Sequence, residues 1–310
     1  MQMARVVMVW CRGLRVLPWL LLACFASCGG GTGQIEPFKP QRIIFIGDET
    51  VGLLPDGRRY GINVLNADSV FDCSQLPIWS QQLAINFGFA TDFCGGTAVT
   101  RAVANGKAND IDGQISAQIA ATGVTAKDLF VVMVGMNDII ELYEQFPARS
   151  EADLTNELKA RGTLVASEVN RIVNVGGRVI LSTVHDLSVT PYALAQRGSH
   201  NDTDRAALIS RLTQAYNARV RVDILQDGRF IGLLLADDDT QALIRSPGSV
   251  GITNVTDAAC AVAPPDCTTA TLVPGANTGN FLWADDRHFG PQMHNQLGSQ
   301  AITRARNSPF

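Results

Sequence analysis

Histidine is scarce in this chain, four among 310 residues, and the sequence contains neither a Cys-x-x-Cys pair nor a His-Glu-x-x-His pattern. Those absences argue against a zinc enzyme or a zinc-built domain, which draw on closely spaced Cys and His ligands. His288 and His294 lack a convincing third ligand, and Asp237-Asp238-Asp239 reads as a solvated loop rather than a calcium site. Positive charge is also short, with 25 basic residues against 29 acidic ones and a formal net charge of −4. No basic patch stands out, which argues against nucleic acid as the natural partner. No internal repeat is present. The glycine cluster at 29–33 has no strand before it and no Lys-Ser/Thr after it, so it is a linker and not a phosphate loop. The sequence implies no cofactor.

What is present begins at the N-terminus. Residues 1–27 carry Arg5, Arg12 and Arg15, no acidic residue, and an apolar stretch over 16–26. That is the pattern of an export signal. Its apolar part is about 11 residues, too short to span a bilayer comfortably. The segment resembles a bacterial lipoprotein signal, which is cut just before a cysteine that then carries lipid. Two cysteines compete. Leu21-Leu22-Ala23-Cys24 has the better residue three places before the cysteine, whereas Phe25-Ala26-Ser27-Cys28 has the better small pair and a glycine-rich sequence after it. Cutting at Cys28, the favoured site, removes Cys11 and Cys24 and leaves Cys73, Cys94, Cys260 and Cys267, an even set suited to two disulfides in an oxidising compartment. Cys260 and Cys267 flank a Pro264-Pro265 turn, which suggests a local bridge and leaves Cys73 for Cys94, although four cysteines allow three pairings. Removing the three signal arginines leaves 22 basic residues against 29 acidic ones. The expected organisation is signal 1–27, flexible tether 28–40 and one domain over 41–310.

Within that domain, apolar runs at 43–46, 129–134, 178–181 and 230–235 lack strict alternation, as parallel strands buried on both faces do. Between them, 77–87, 111–121, 151–175 and 205–225 place apolar residues three and four apart, and Gly176-Gly177 and Asp227-Gly228 supply stops. Strands alternating with helices predict a three-layer α/β/α sandwich on a parallel central sheet. Sites in such sheets form beyond the carboxyl ends of the strands. The stretch 246–281 reads as a long, disulfide-tied loop.

Three blocks carry chemistry. Gly47-Asp48-Glu49-Thr50 follows the first strand, Val134-Gly135-Met136-Asn137-Asp138 follows the second, and Trp283-Ala284-Asp285-Asp286-Arg287-His288 lies near the end. In that order they resemble the SGNH/GDSL family of ester hydrolases, over about 42–304, and the resemblance implies an SGNH/flavodoxin-like hydrolase fold. Two further stretches, 186–191 and 251–257, are similar to segments of longer members. The resemblance implies that Asn137 and a glycine in Phe93-Cys94-Gly95-Gly96-Thr97 donate to the reaction's oxyanion, with Gly96 assigned and Gly95 the alternative. It implies that Asp285 and His288 form the acid–histidine pair, and that residue 49 is the nucleophile.

Here residue 49 is Glu, where the family has Ser. A serine hydroxyl attacks once a base takes its proton, and the resulting acyl-enzyme is an ordinary ester. Glutamate has no such proton, and its attack on an ester would form a mixed anhydride uphill. Loss of a triad nucleophile costs on the order of a millionfold in a serine protease. His288, between Glu49 and Asp285, is expected to stay protonated near neutral pH and to be a poor base. Thr50 is displaced by one residue, which turns its side chain from the site, and Ser69, Ser74 and Ser80 lie in no recognisable nucleophile turn. Two readings therefore stand. One is an ester hydrolase acting on acyl esters of lipids, polysaccharides or small molecules, altered at Glu49. The other is an inactive envelope lipoprotein that binds an acyl or glycan ligand in the same cleft. Both imply export to the bacterial cell envelope, membrane attachment through lipid, a small-molecule, lipid or glycan ester as substrate or ligand, and no nucleic acid.

Overall fold

Residues 42–47 are apolar at almost every position, so no face of this segment can be left in water. In the computed structural model, which describes residues 37–307, they form strand β1 (Arg42–Gly47) at an interior position of the sheet. The signal 1–27, Cys24, Cys28 and the tether as far as residue 36 lie outside the described residues. β2 (Val99–Thr100), β3 (Asp128–Met133), β4 (Arg178–Ser182) and β5 (Ile231–Leu234) complete a sheet of order β2-β1-β3-β4-β5, and every pairing is parallel. This is the flavodoxin-like order of a doubly wound sheet.

Successive strand residues feed opposite cores. Ile44, Ile46, Phe130, Val132, Val179 and Leu181 pack on one face with α2 (Ile111–Thr122), α3 (Met136–Tyr143), α4 (Glu151–Asn174) and α6 (Arg205–Asp223). Ile43, Phe45, Leu129, Val131 and Ile180 pack on the other with α1 (Trp79–Asn86), α7 (Ala236–Arg245) and α8 (Pro291–Asn307). Each such aliphatic side chain contributes about 1.5–3 kcal/mol on burial, which is why continuous apolar runs mark a strand covered on both sides. The short helix α5 (Pro191–Ser199) is capped by Thr190, whose hydroxyl accepts from Ala193 N–H.

The four expected strands and four expected helices are present, with ends shifted by one or two residues. Two readings are corrected. Asp237, Asp238 and Asp239 are the first turn of α7, where carboxylates favour the helix N-terminus. Asp237 also accepts from Arg221 at 2.6 Å. The stretch 246–281 is not all loop. It contains β6 (Asn254–Ala258), which pairs in parallel with β7 (Phe281–Trp283) and so carries the last block to the sheet's carboxyl edge. Both disulfides, Cys73–Cys94 and Cys260–Cys267, are formed. Among the described residues no helix is long and apolar enough to cross a membrane.

Candidate active site

The site starts where β1 ends. Gly47 has φ +134°, and a Cβ there would lie 1.9 Å from the Met133 carbonyl oxygen. Only glycine permits both that backbone and that approach. Its N–H donates to Gln114 Oε1 at 2.7 Å, and its carbonyl accepts from Gln114 Nε2 at 2.9 Å, so α2 pins the strand end. The chain then turns. Val51 N–H donates to the Asp48 carbonyl at 3.2 Å, while Asp48 Oδ1 accepts from the N–H and hydroxyl of Thr50. Thr50 is thereby committed to Asp48. Ser80 donates to the Val51 carbonyl and Ser74 to Asp72, and none of Ser69, Ser74 and Ser80 lines the cleft around Glu49.

The last block forms a second built turn. Asp285 Oδ1 accepts from Arg287 N–H at 2.9 Å and His288 N–H at 2.6 Å, which leaves Oδ2 to take His288 Nδ1 at 2.7 Å. Two segments brace it. Tyr192 N–H, just after the 186–191 segment, donates to the Asp286 carbonyl at 2.8 Å, and Trp283 Nε1 donates to Val255 of β6 at 3.0 Å. Buried His185 contacts the Arg287 carbonyl through Nε2 at 3.0 Å.

The two turns meet at Glu49, which is 5% exposed. Its Oε1 lies 3.4 Å from His288 Nε2 and accepts from Asn137 Nδ2 at 3.1 Å. Its Oε2 accepts from Asn105 N–H at 2.6 Å and from Asn137 Nδ2 at 3.2 Å. Glu49, Asn137, Asp285 and His288 therefore converge at the carboxyl ends of the strands. Asn137 lies in the first turn of α3, immediately after β3.

Gly96 does not join them. Its N–H donates to the Thr91 carbonyl at 2.8 Å, and Gly95 N–H donates to Asp92 at 3.1 Å, so neither amide is available to the cleft. Gly96 is glycine for packing, because a Cβ would stand 2.1 Å from the Ala90 carbonyl oxygen. The backbone donor comes instead from Asn105, in the loop between β2 and α2, at φ +58°. Asn tolerates that left-handed backbone better than most residues. The available signal was Asn105-Gly106 just ahead of the periodic run at 111–121, but it was hidden because β2 is only two residues long. Tyr60 was also missed. Its ring centroid is 5.2 Å from that of His288, and with Pro264, Ala263 and Arg287 it lines a cavity of about 490 Å³ over the site.

Charge is strongly organised here. Burial lowers the His288 pKa, but hydrogen bonds and charges from Asp285 and Glu49 outweigh it and raise the imidazole to about 9. Burial raises Asp285, yet His288 and two backbone N–H groups bring it down to about 2. Glu49 also ends below its ordinary value, with burial opposed by His288 and Asn137. Asp48 is pushed up by burial and by the Glu49 charge. At neutral pH the unit is a carboxylate, an imidazolium and a second carboxylate in line. An imidazolium cannot act as the general base that acyl transfer requires. Among the described residues no group of three His, Cys, Asp or Glu side chains is placed to hold a metal.

A doubly wound sheet with an Asp–His pair and an Asn amide at its carboxyl edge defines a hydrolase-type cleft. The family model for GDSL-like lipase/acylhydrolase matches residues 70–301, and the chain belongs to that family. The match begins after Glu49, so membership rests on the later blocks. Comparison with curated proteins gives no match. Among solved structures, a member of the lipolytic protein G-D-S-L family from Veillonella parvula DSM 2008 is similar at 11% identity and TM-score 0.46, covering 84% of this chain and 96% of that one. An acetylxylan esterase from Geobacillus stearothermophilus is similar at 14% identity and TM-score 0.41, covering 87% and 96%.

Proposed function

We propose that this chain is a GDSL-type, ester hydrolase-like lipoprotein of the bacterial cell envelope in which the cleft is kept for an acyl-ester or glycan ligand and turnover by the serine route is lost. One observation carries the reading. The Glu49 carboxylate takes up Asn105 N–H, the Asn137 amide and His288 Nε2 together. In an acyl-transfer site such donors stabilise the tetrahedral oxyanion by a few kcal/mol. Here they are engaged before any substrate arrives, and the histidine is protonated. Glu49 supplies no hydroxyl to replace what is missing.

Export and anchoring belong to the same proposal. They rest on the basic-then-apolar segment 1–27 and on the cysteines left after cutting at Cys28, and Cys24 is the competing lipid site. Two disulfides fit an oxidising compartment. The intact mass of the mature N-terminus tests this, and an unlipidated start or a lipidated Cys24 would contradict it.

The functional test is hydrolysis of a short-chain aryl ester by the full chain and by Glu49→Ser. The expected native rate is weak or nil. Strong native turnover that disappeared in Glu49→Ser would make Glu49 the working base or nucleophile and would overturn the reading.

A further inference from the structure

The groups that hold the Glu49 carboxylate are positioned without it. Asn105 N–H belongs to the loop after β2, the Asn137 amide to α3, and His288 Nε2 to the turn after β7. Asn137 Nδ2 also donates to the Gly106 carbonyl at 3.2 Å, and His288 is oriented through Nδ1 by Asp285 at 2.7 Å. Donors from three separate elements thus converge on two oxygen atoms, and two of them have a second anchor. Beyond Cβ, the Glu49 side chain is one carbon and a carboxylate. Acetate has the same four non-hydrogen atoms.

We propose that the cleft contains a preorganised binding site for a small carboxylate, occupied in cis by Glu49, and that removing this side chain opens the site to a free carboxylate. The proposal rests on the functional reading only in placing these donors in the ligand cleft. The anion would enter from the cavity of about 490 Å³ whose wall includes Tyr60, Asn105 and His288. Charged groups facing it are His288 and Arg287 on the favourable side and Asp285 and Asp286 on the other. Asp48, adjacent in the chain and fully buried, completes the surroundings. Asp285 is already engaged by the imidazole and two backbone N–H groups, and Arg287 Nε meets Asp286 at 2.7 Å. Those pairings keep the acidic neighbours from dominating the site. Hydrolysis of an ester also releases a carboxylate, so the native cleft has the donor pattern of a product-bound state in which the product is part of the chain.

The experiment is a titration of full-chain Glu49→Ala with sodium acetate, against sodium chloride at equal ionic strength. The readouts are the His288 imidazole pKa by NMR and the thermal midpoint. Loss of one carboxylate neighbour should lower the His288 pKa from about 9 by at least about one unit. Acetate should restore it saturably and raise the midpoint, and chloride should do neither. The native chain and Glu49→Gln, whose side chains still fill the site, should not respond. Glu49→Ala with Asn137→Ala should lose the response. If Glu49→Ala does not fold, Glu49→Ser is titrated in the same way. Absence of a saturable acetate response, or an equal response to chloride, would overturn the proposal. No ester is present in this titration, so its outcome is independent of whether the native chain turns over substrate.

Discussion

The turn at Gly47–Thr50 and the turn at Asp285–His288 face each other across one cleft, yet they differ in what they have kept. In the second, every polar atom of the Asp285 carboxylate serves to aim an imidazole: Oδ1 takes two backbone N–H groups and Oδ2 takes the ring. The first has an equally ordered frame, with Gly47 locked to Gln114 and Asp48 capping Thr50. The side chain presented by that frame is Glu49, where the resemblance implies a serine. Glu49 is long enough to reach the donors on α3 and on the β2–α2 loop, and it reaches His288 as well. The comparison teaches that two equally ordered turns can differ in what they present, one aiming an imidazole and the other a carboxylate that takes up the donors around it.

The comparison breaks most visibly at Glu49. Glu49→Ser introduces a hydroxyl, frees the Asn105 and Asn137 donors and removes one of the carboxylates that keep His288 protonated. Ester turnover should rise by at least about 100-fold over the native chain in a short-chain aryl ester assay, a small part of what a triad nucleophile supplies.

The pH dependence of stability sharpens it next. His288 lies at about 9 in the folded chain against about 6.5 when unfolded. Its stabilising contribution is therefore full below about pH 6.5 and is lost as pH rises through 9, a change of roughly 3 kcal/mol. Asp285, held at about 2, works in the opposite sense: its contribution is present above about pH 4 and is lost as pH falls through 2. Urea unfolding at pH 6 and at pH 9.5 should show the alkaline loss in the native chain and much less of it in His288→Gln.

Removing a donor tests the cleft from a third side. In the Glu49→Ser background, Asn137→Ala should lower turnover by roughly 100-fold, at the lower end for an oxyanion donor. The smallest effect is expected at Gly96. Gly96→Ala should cost about 2 kcal/mol in urea unfolding, from the clash with Ala90, and should leave the Glu49→Ser turnover unchanged at temperatures where the chain is folded. A selective loss of turnover there would return Gly96 to the reaction centre.

The sheet was readable because a parallel strand covered on both faces has no polar alternation, as in Leu129-Phe130-Val131-Val132. β2 was not, since Val99–Thr100 is too short to leave a pattern, and the loop it introduces went unrecognised with it. That is why Gly95-Gly96 drew the oxyanion assignment, whereas the backbone N–H that reaches Glu49 is that of Asn105. A pair of glycines in sequence does not reveal whether its N–H groups face a cleft or close a local turn. Asn137 was readable because it directly follows a well-marked strand. Asp237–Asp239 were misread because acidic residues suit both a solvated loop and a helix start, and the helix they open is amphipathic over only ten residues. The upward direction of the His288 shift was expected once the resemblance placed it between Glu49 and Asp285, and it depends on those close contacts outweighing the opposing effect of burial.

The central claim is that Glu49 and Asp285 together hold His288 as an imidazolium in the native cleft. An NMR titration of the four histidines in the full native chain, with His288 assigned by its loss in His288→Gln, tests it most directly. The account predicts a His288 pKa of about 9 that falls by at least about one unit in Glu49→Gln. A native value at or below about 6.5, unmoved by that substitution, would contradict it.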